Sequence, residues 1–171
     1  VEEELINTLY KIKADKSFKQ KKSSRPIYGN IIGSDYNLFD NKIPILKSFR
    51  EDLIKILGTF FESNIYITES FFNIITTKDG VGGGNKIHNH LNRVDRISEI
   101  NIEKKKFSLV YYLSIGDQNC KEKGILKFHN PTKDFLPQDR MLVIFPASRL
   151  HSVSYNGKKD RVVLIVNFYL I

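Results

Sequence analysis

From Asn64 to the end of the chain, short β-rich runs follow one another: Ile65–Thr77, Phe107–Ile115, Gly124–Phe128, Met141–Phe145, His151–Tyr155 and Arg161–Tyr169. Gly, Pro, Asn and Asp punctuate them at Asp79-Gly80, Asn130-Pro131 and Asn156-Gly157, where such residues favour turns over continued strand. Asn156-Gly157, between two strand-like runs, predicts a hairpin. Ahead of the strands, Leu46, Phe49, Leu53, Leu57 and Phe60 recur at three- and four-residue spacing between Pro44 and Glu62. That spacing predicts a helix with one apolar stripe and Pro44 in its first turn. Such a stripe needs a sheet to lie on. The pattern therefore predicts a mainly β fold with supporting helices, in the jelly-roll class.

A chain of 171 residues supports one domain with a hydrophobic core. Residues 1–25 read as a polar N-terminal extension, with a short helix at about 2–13 and a flexible link. Residues 26–171 read as the domain, with its support helix at about 44–62 and its core at about 64–171. The net charge of +8 is spread over lysines mixed with Glu and Asp, apart from short runs at Lys19–Lys22 and Lys104–Lys106. Solvated surface, not a nucleic-acid face, is the expected reading. No apolar run approaches the roughly 18–20 residues of a membrane helix and no signal-peptide pattern is seen, so a cytoplasmic protein without a membrane anchor is expected. The single cysteine, Cys120 in the polar loop from Gly116 to Lys123, excludes an internal disulfide and a cysteine-built zinc site.

The four histidines are His88, His90, His129 and His151. His88 and His90 stand two apart, after Gly82-Gly83-Gly84, and residues i and i+2 of an extended strand point the same way. Both imidazoles can then reach one ion, and His151, at the start of a later strand, is the candidate for the third ligand of a facial triad. His129, beside the Gly124–Phe128 run, has no ligand spacing and reads as structural or as a residue standing behind the ligands. Arg161 opens the apolar run Val162 to Val166. A guanidinium there either meets an anion, which its fork matches in bidentate fashion, or sits exposed beside Asp160.

Taken in order, several stretches resemble the 2-oxoglutarate and iron(II)-dependent oxygenases, most closely their prolyl-4-hydroxylase-like branch. They are Gly82 to His90, Val110-Tyr111-Tyr112-Leu113-Ser114, Gly124-Ile125-Leu126-Lys127-Phe128, Phe145 to Val153, and Asp160-Arg161-Val162-Val163 running on to Asn167-Phe168-Tyr169. The resemblance covers roughly residues 70–171. It implies a double-stranded β-helix with Fe(II) at its open mouth, ligated by His88 and His151, and no catalytic residue beyond the metal ligands. It also implies 2-oxoglutarate clamped by Arg161 and assisted by the Tyr112 hydroxyl, with ascorbate as a supporting reductant and hydroxylation of a C–H bond as the outcome.

One position departs from the pattern. Where the family has Asp or Glu, this chain has His90. Three arrangements are open: His90 is a true third ligand, which is the expected one; Asp95 or Glu99 folds back to supply a carboxylate; or His90 stands behind a water. Other classes remain in view. Gly82, His88-Asn89-His90, Asp95, Pro146 and His151 nearly reproduce the cupin motifs, which would make a three-histidine dioxygenase without 2-oxoglutarate. That reading has Ser148 where a glycine belongs and no role for Arg161. A nucleic-acid demethylase would resemble its relatives in a second arginine where Asn167 stands. A non-enzymatic jelly-roll metal-binding module is the third. Substrate specificity is expected in the loops Lys78–Asn85 and Leu91–Lys106 and in the N-terminal segment, and the charges of Leu91–Lys106 suit a polar small molecule, amino acid or peptide side chain.

Overall fold

The computed structural model describes residues 2–14, 27–76, 81–97 and 101–171; the link with Lys19–Lys22, Thr77, the Asp79-Gly80 pair and Glu99 lie outside them. The helices are α1 (Glu2–Ala14) and α2 (Pro44–Phe61). The strands are β1 (Ile27–Gly29), β2 (Ile31–Gly33), β3 (Ile65–Ile75), β4 (Gly83–His88), β5 (Lys106–Ser114), β6 (Lys123–Phe128), β7 (Lys133–Phe135), β8 (Leu142–Pro146), β9 (His151–Tyr155) and β10 (Arg161–Leu170). They form two five-stranded sheets, ordered β2-β3-β10-β5-β8 and β1-β4-β9-β6-β7, with every strand pair antiparallel. This is the jelly roll that the sequence predicts. Among the described residues, no helix is long and apolar enough to cross a membrane.

The sheet centred on β10 is covered on both faces, which is why that strand is an almost unbroken apolar run. Val162, Leu164, Val166 and Phe168 pack with Phe72, Ile74, Leu109 and Leu113 beneath Leu46, Leu53 and Leu57 of α2. Each such fully buried aliphatic side chain stabilises the fold by about 1.5–3 kcal/mol. The alternate residues Val163 and Ile165 face the second sheet with Phe71, Val110, Leu126 and Phe145. The helix set apart as an extension shares the first of these cores: Leu5, Leu9 and Ile12 are buried in it. Both sheets also begin earlier than residue 64, since β1 and β2 supply an edge strand to each.

Two expectations need correction. The apolar stripe of α2 ends on Phe61, which packs on Phe107 and Phe168 at 5.1 and 5.9 Å, while Phe60 is 72% exposed. Phe61 follows Leu57 at the same four-residue step that separates Leu57 from Leu53, so it continues that row. Nor is Asn156-Gly157 a hairpin turn. β9 pairs with β4 and β6, and β10 with β3 and β5, so this link carries the chain from one sheet to the other. Gly157 is there for closeness: a Cβ on it would lie 2.3 Å from the Asp117 carbonyl oxygen and 2.4 Å from the Tyr155 hydroxyl.

Candidate metal centre

The register of β4 on β9 sets His88 opposite His151. The strands can approach so closely because Gly84 has no side chain; a Cβ there would lie 2.1 Å from the Val153 carbonyl oxygen. His90 lies just past β4, and its N–H donates to the Ala147 carbonyl at 2.8 Å. One nitrogen from each of His88, His90 and His151 falls within 4.8 Å of the others. His129 is elsewhere, its Nε2 2.9 Å from the Ser152 hydroxyl.

The outer nitrogens decide what the inner ones can do. His88 Nδ1 lies 2.7 Å from the Lys86 carbonyl oxygen and His151 Nδ1 2.9 Å from that of Arg149. A carbonyl only accepts, so both Nδ1 atoms carry the proton and both Nε2 atoms present lone pairs. His90 Nδ1 lies 2.7 Å from Asn167 Oδ1, with the same result. Burial among apolar neighbours, Phe71 and Phe145 included, lowers the pKa of all three, His90 to about 3 and His151 to about 4. The rings are therefore neutral and ready to ligate near neutral pH. The Nε2 atoms of His88 and His90 stand 3.3 Å apart, where two lone pairs repel unless a cation lies between them. Nitrogens held at about 2.1 Å from a metal and at right angles to each other would be roughly 3 Å apart. The donor set fits a divalent transition metal.

Asp95 is occupied elsewhere. Its buried carboxylate pairs with the buried Lys106 ammonium at 2.7 Å and accepts from the Asn92 N–H at 2.6 Å and from the Tyr169 hydroxyl. Burial alone would raise its pKa, but those bonds hold it below the usual carboxylate value. Lys106, grouped with a solvated basic run in the sequence, is in fact core.

Behind the histidines a cavity of about 50 Å³ runs between the sheets to Arg161 and Tyr112, and in front of them a bowl of about 760 Å³ opens outward. Arg161 is buried, not exposed, and Asp160 is bonded instead by the Tyr10 hydroxyl. Among the described residues the buried side-chain polar atoms without a hydrogen-bond partner are Arg161 Nε, the Tyr112 hydroxyl and Asn73 Oδ1. All three residues line this one cavity. The guanidinium carbon lies 5.3 Å from the Tyr112 ring centroid. Burial raises the Tyr112 pKa against the pull of Arg161, so the hydroxyl keeps its proton to donate.

The register explains this wall. Glu69, Asn167 and Ser108 lie side by side on β3, β10 and β5, then Phe71, Ile165 and Val110, then Asn73, Val163 and Tyr112, with Arg161 beyond. The sequence assigns no site role to Asn73, Glu69 or Ser108, and reads Asn167 only as the place of an absent second arginine. The available signal was a polar residue recurring at the inward parity of otherwise apolar strands, since a buried polar group needs a partner.

No protein-family model and no curated protein matches the chain. Its fold matches solved structures. A prolyl-4-hydroxylase from Pseudomonas putida is 18% identical, with 99% of this chain and 86% of that one covered at a TM-score of 0.61. The chain has the fold of the 2-oxoglutarate and Fe(II)-dependent oxygenases. A prolyl hydroxylase from Trichoplax adhaerens, in complex with a hypoxia inducible factor oxygen degradation domain peptide, is 16% identical over 98% of this chain and 77% of that one, TM-score 0.64. The viral collagen prolyl hydroxylase of Paramecium Bursaria Chlorella virus-1, in its 2OG complex, is 11% identical over 99% and 89%, TM-score 0.64.

Proposed function

We propose that the protein is a non-haem Fe(II) and 2-oxoglutarate-dependent oxygenase that hydroxylates a C–H bond of a polar small molecule, amino acid or peptide side chain. The observation that carries the reading is the set of unpartnered polar atoms. A buried guanidinium with no carboxylate is costly, and here it lies with an unpaired hydroxyl at the blind end of a cavity whose other end is three imidazole lone pairs. A dicarboxylate that also bears a 2-oxo group satisfies both ends.

His88, His90 and His151 hold the metal through Nε2. Arg161 takes the far carboxylate through its fork, and Tyr112 donates its O–H to the same group. Val110, Val163 and Ile165 on the walls exclude water, which strengthens the charge pairing. When bound, ferrous iron and 2-oxoglutarate supply the oxidising chemistry, in which dioxygen is consumed, 2-oxoglutarate becomes succinate and carbon dioxide, and one oxygen atom goes to the substrate. The bowl, with Tyr36, Glu69, Asn89, Asn92 and Arg96 on its walls, receives the substrate. One anionic and one cationic side chain among amides suit a polar or zwitterionic substrate, not a polyanion. A cupin-type three-histidine dioxygenase would leave Arg161 buried for nothing.

The test is succinate formation. Purified protein should turn 2-oxoglutarate over only with ferrous iron, and Arg161→Ala should abolish it. Metal binding without any binding of 2-oxoglutarate would overturn the reading in favour of the cupin-type chemistry.

A further inference from the structure

Two of the three imidazoles are aimed by backbone carbonyls, which no side-chain change removes. His90 is different, because its Nδ1 partner is a side-chain amide, and an amide offers an acceptor at one end and donors at the other. If Asn167 presented Nδ2 to His90, the His90 proton would move to Nε2 and the lone pair facing the metal position would be lost. Something must choose the amide's orientation. Asn167 Nδ2 donates to the Glu69 carboxylate, and an ionised carboxylate accepts only. Ser108 lies on the opposite side, donates to Asn167 Oδ1, and sits 2.8 Å from His90 Nδ1. Glu69, Asn167 and Ser108 form one cross-strand row.

We infer that Glu69 is a positioning residue for the metal site: its carboxylate fixes the Asn167 amide, the amide fixes the His90 tautomer, and the tautomer aims the His90 Nε2 lone pair at the metal. The inference rests on the reading of His90 as a metal ligand. The row also brings back, one amide removed, the negative charge that the site lacks with His90 in place of a carboxylate. The carboxylate polarises the amide, Oδ1 becomes a better acceptor, and His90 becomes a more basic ligand.

The tautomer can be read in the metal-free protein from the imidazole ¹⁵N shifts of His90. The wild type should carry its proton on Nδ1. In Glu69→Met the amide loses its acceptor, so the Nε2-protonated form should appear, and Co(II) affinity should fall about 10-fold or more. Glu69→Gln combined with Asn167→Asp exchanges amide and carboxylate along the row. It leaves an acceptor facing His90 and a donor facing that acceptor, so the Nδ1 proton should return. That rescue separates positioning from a general loss of folding. An unchanged His90 tautomer in Glu69→Met would overturn the inference. Failure of the wild type to bind Co(II) would instead overturn the metal reading, with the relay intact.

Discussion

The two sheets of this jelly roll divide the work of the site. The β1-β4-β9-β6-β7 sheet carries His88 and His151 at adjoining strand ends, where backbone carbonyls of β4 and of the link into β9 fix them. The β2-β3-β10-β5-β8 sheet, packed on both faces, contributes none of the three imidazoles. It provides the polar groups behind them instead, with Asn167, Glu69 and Ser108 in one row and Asn73, Tyr112 and Arg161 deeper in. Both sheets are irregular at the site, with register shifts between Asn85 and His88 on β4 and between Val162 and Val163 on β10. What sets β10 apart is its packing on both faces, which buries Arg161.

The largest effect is expected where the two-sided sheet is held rather than where it binds. Asp95→Ala leaves the Lys106 ammonium buried and unpaired, a loss of about 3–5 kcal/mol, which lowers Tm by roughly 10 °C for a chain of this size. Calorimetry checks it, and the folded fraction should still bind metal, since Asp95 is not needed as a ligand. Arg161→Met keeps apolar volume and removes the charge. Binding of 2-oxoglutarate to the metal-loaded protein should weaken by about 100-fold or more, some 3 kcal/mol, while Tm stays level or rises because a partnerless buried charge has gone. A drop in Tm with binding intact would make Arg161 structural. Tyr112→Phe removes one donor to a charged group and should weaken the same binding by about 10-fold.

The histidine side is sharpened by pH. In the unfolded chain these histidines take up protons near pH 6.5, whereas the folded protein holds His90 to about 3 and His151 to about 4. Between those values the unfolded state binds more protons, so stability is complete above about pH 6.5 and is lost as pH falls towards 4. Asp95, with its lowered pKa, acts in the same direction at still lower pH. Thermal melts of the metal-free protein should show this slope, and His151→Gln should make it shallower.

How much of this was legible beforehand follows from which signals are local. The apolar run of β10 and the stripe of α2 are signals carried by a few neighbouring residues, and both elements are found where those signals lie; the His88 and His90 spacing predicts one strand for both, whereas β4 ends at His88 and His90 lies just past it. β1, β2 and β7 are three residues long, too short to show a period. The Asn156-Gly157 link has hairpin composition, but β9 and β10 pair with distant strands of different sheets, which adjacent residues do not encode. His90 and Asn167 are 77 positions apart, and Asn167 and Glu69 are 98 apart. Cross-strand register joins Asn167 to Glu69, but His90 stands just past β4 of the other sheet and meets Asn167 only where the two sheets pack; a lone Asn in an apolar strand is the whole of the local sign. Arg161 was readable because an arginine at the head of such a run needs a reason to be there.

On the proposed reading, one cavity joins a three-histidine metal site to an anion clamp. Anaerobic calorimetric titration of 2-oxoglutarate into Fe(II)-loaded and metal-free protein puts both ends to the test at once. Tight one-to-one binding that requires the metal, and weakens in Arg161→Met, is the expected result. Absence of 2-oxoglutarate binding to the Fe(II)-loaded wild type, or binding indifferent to both metal and Arg161, would contradict it.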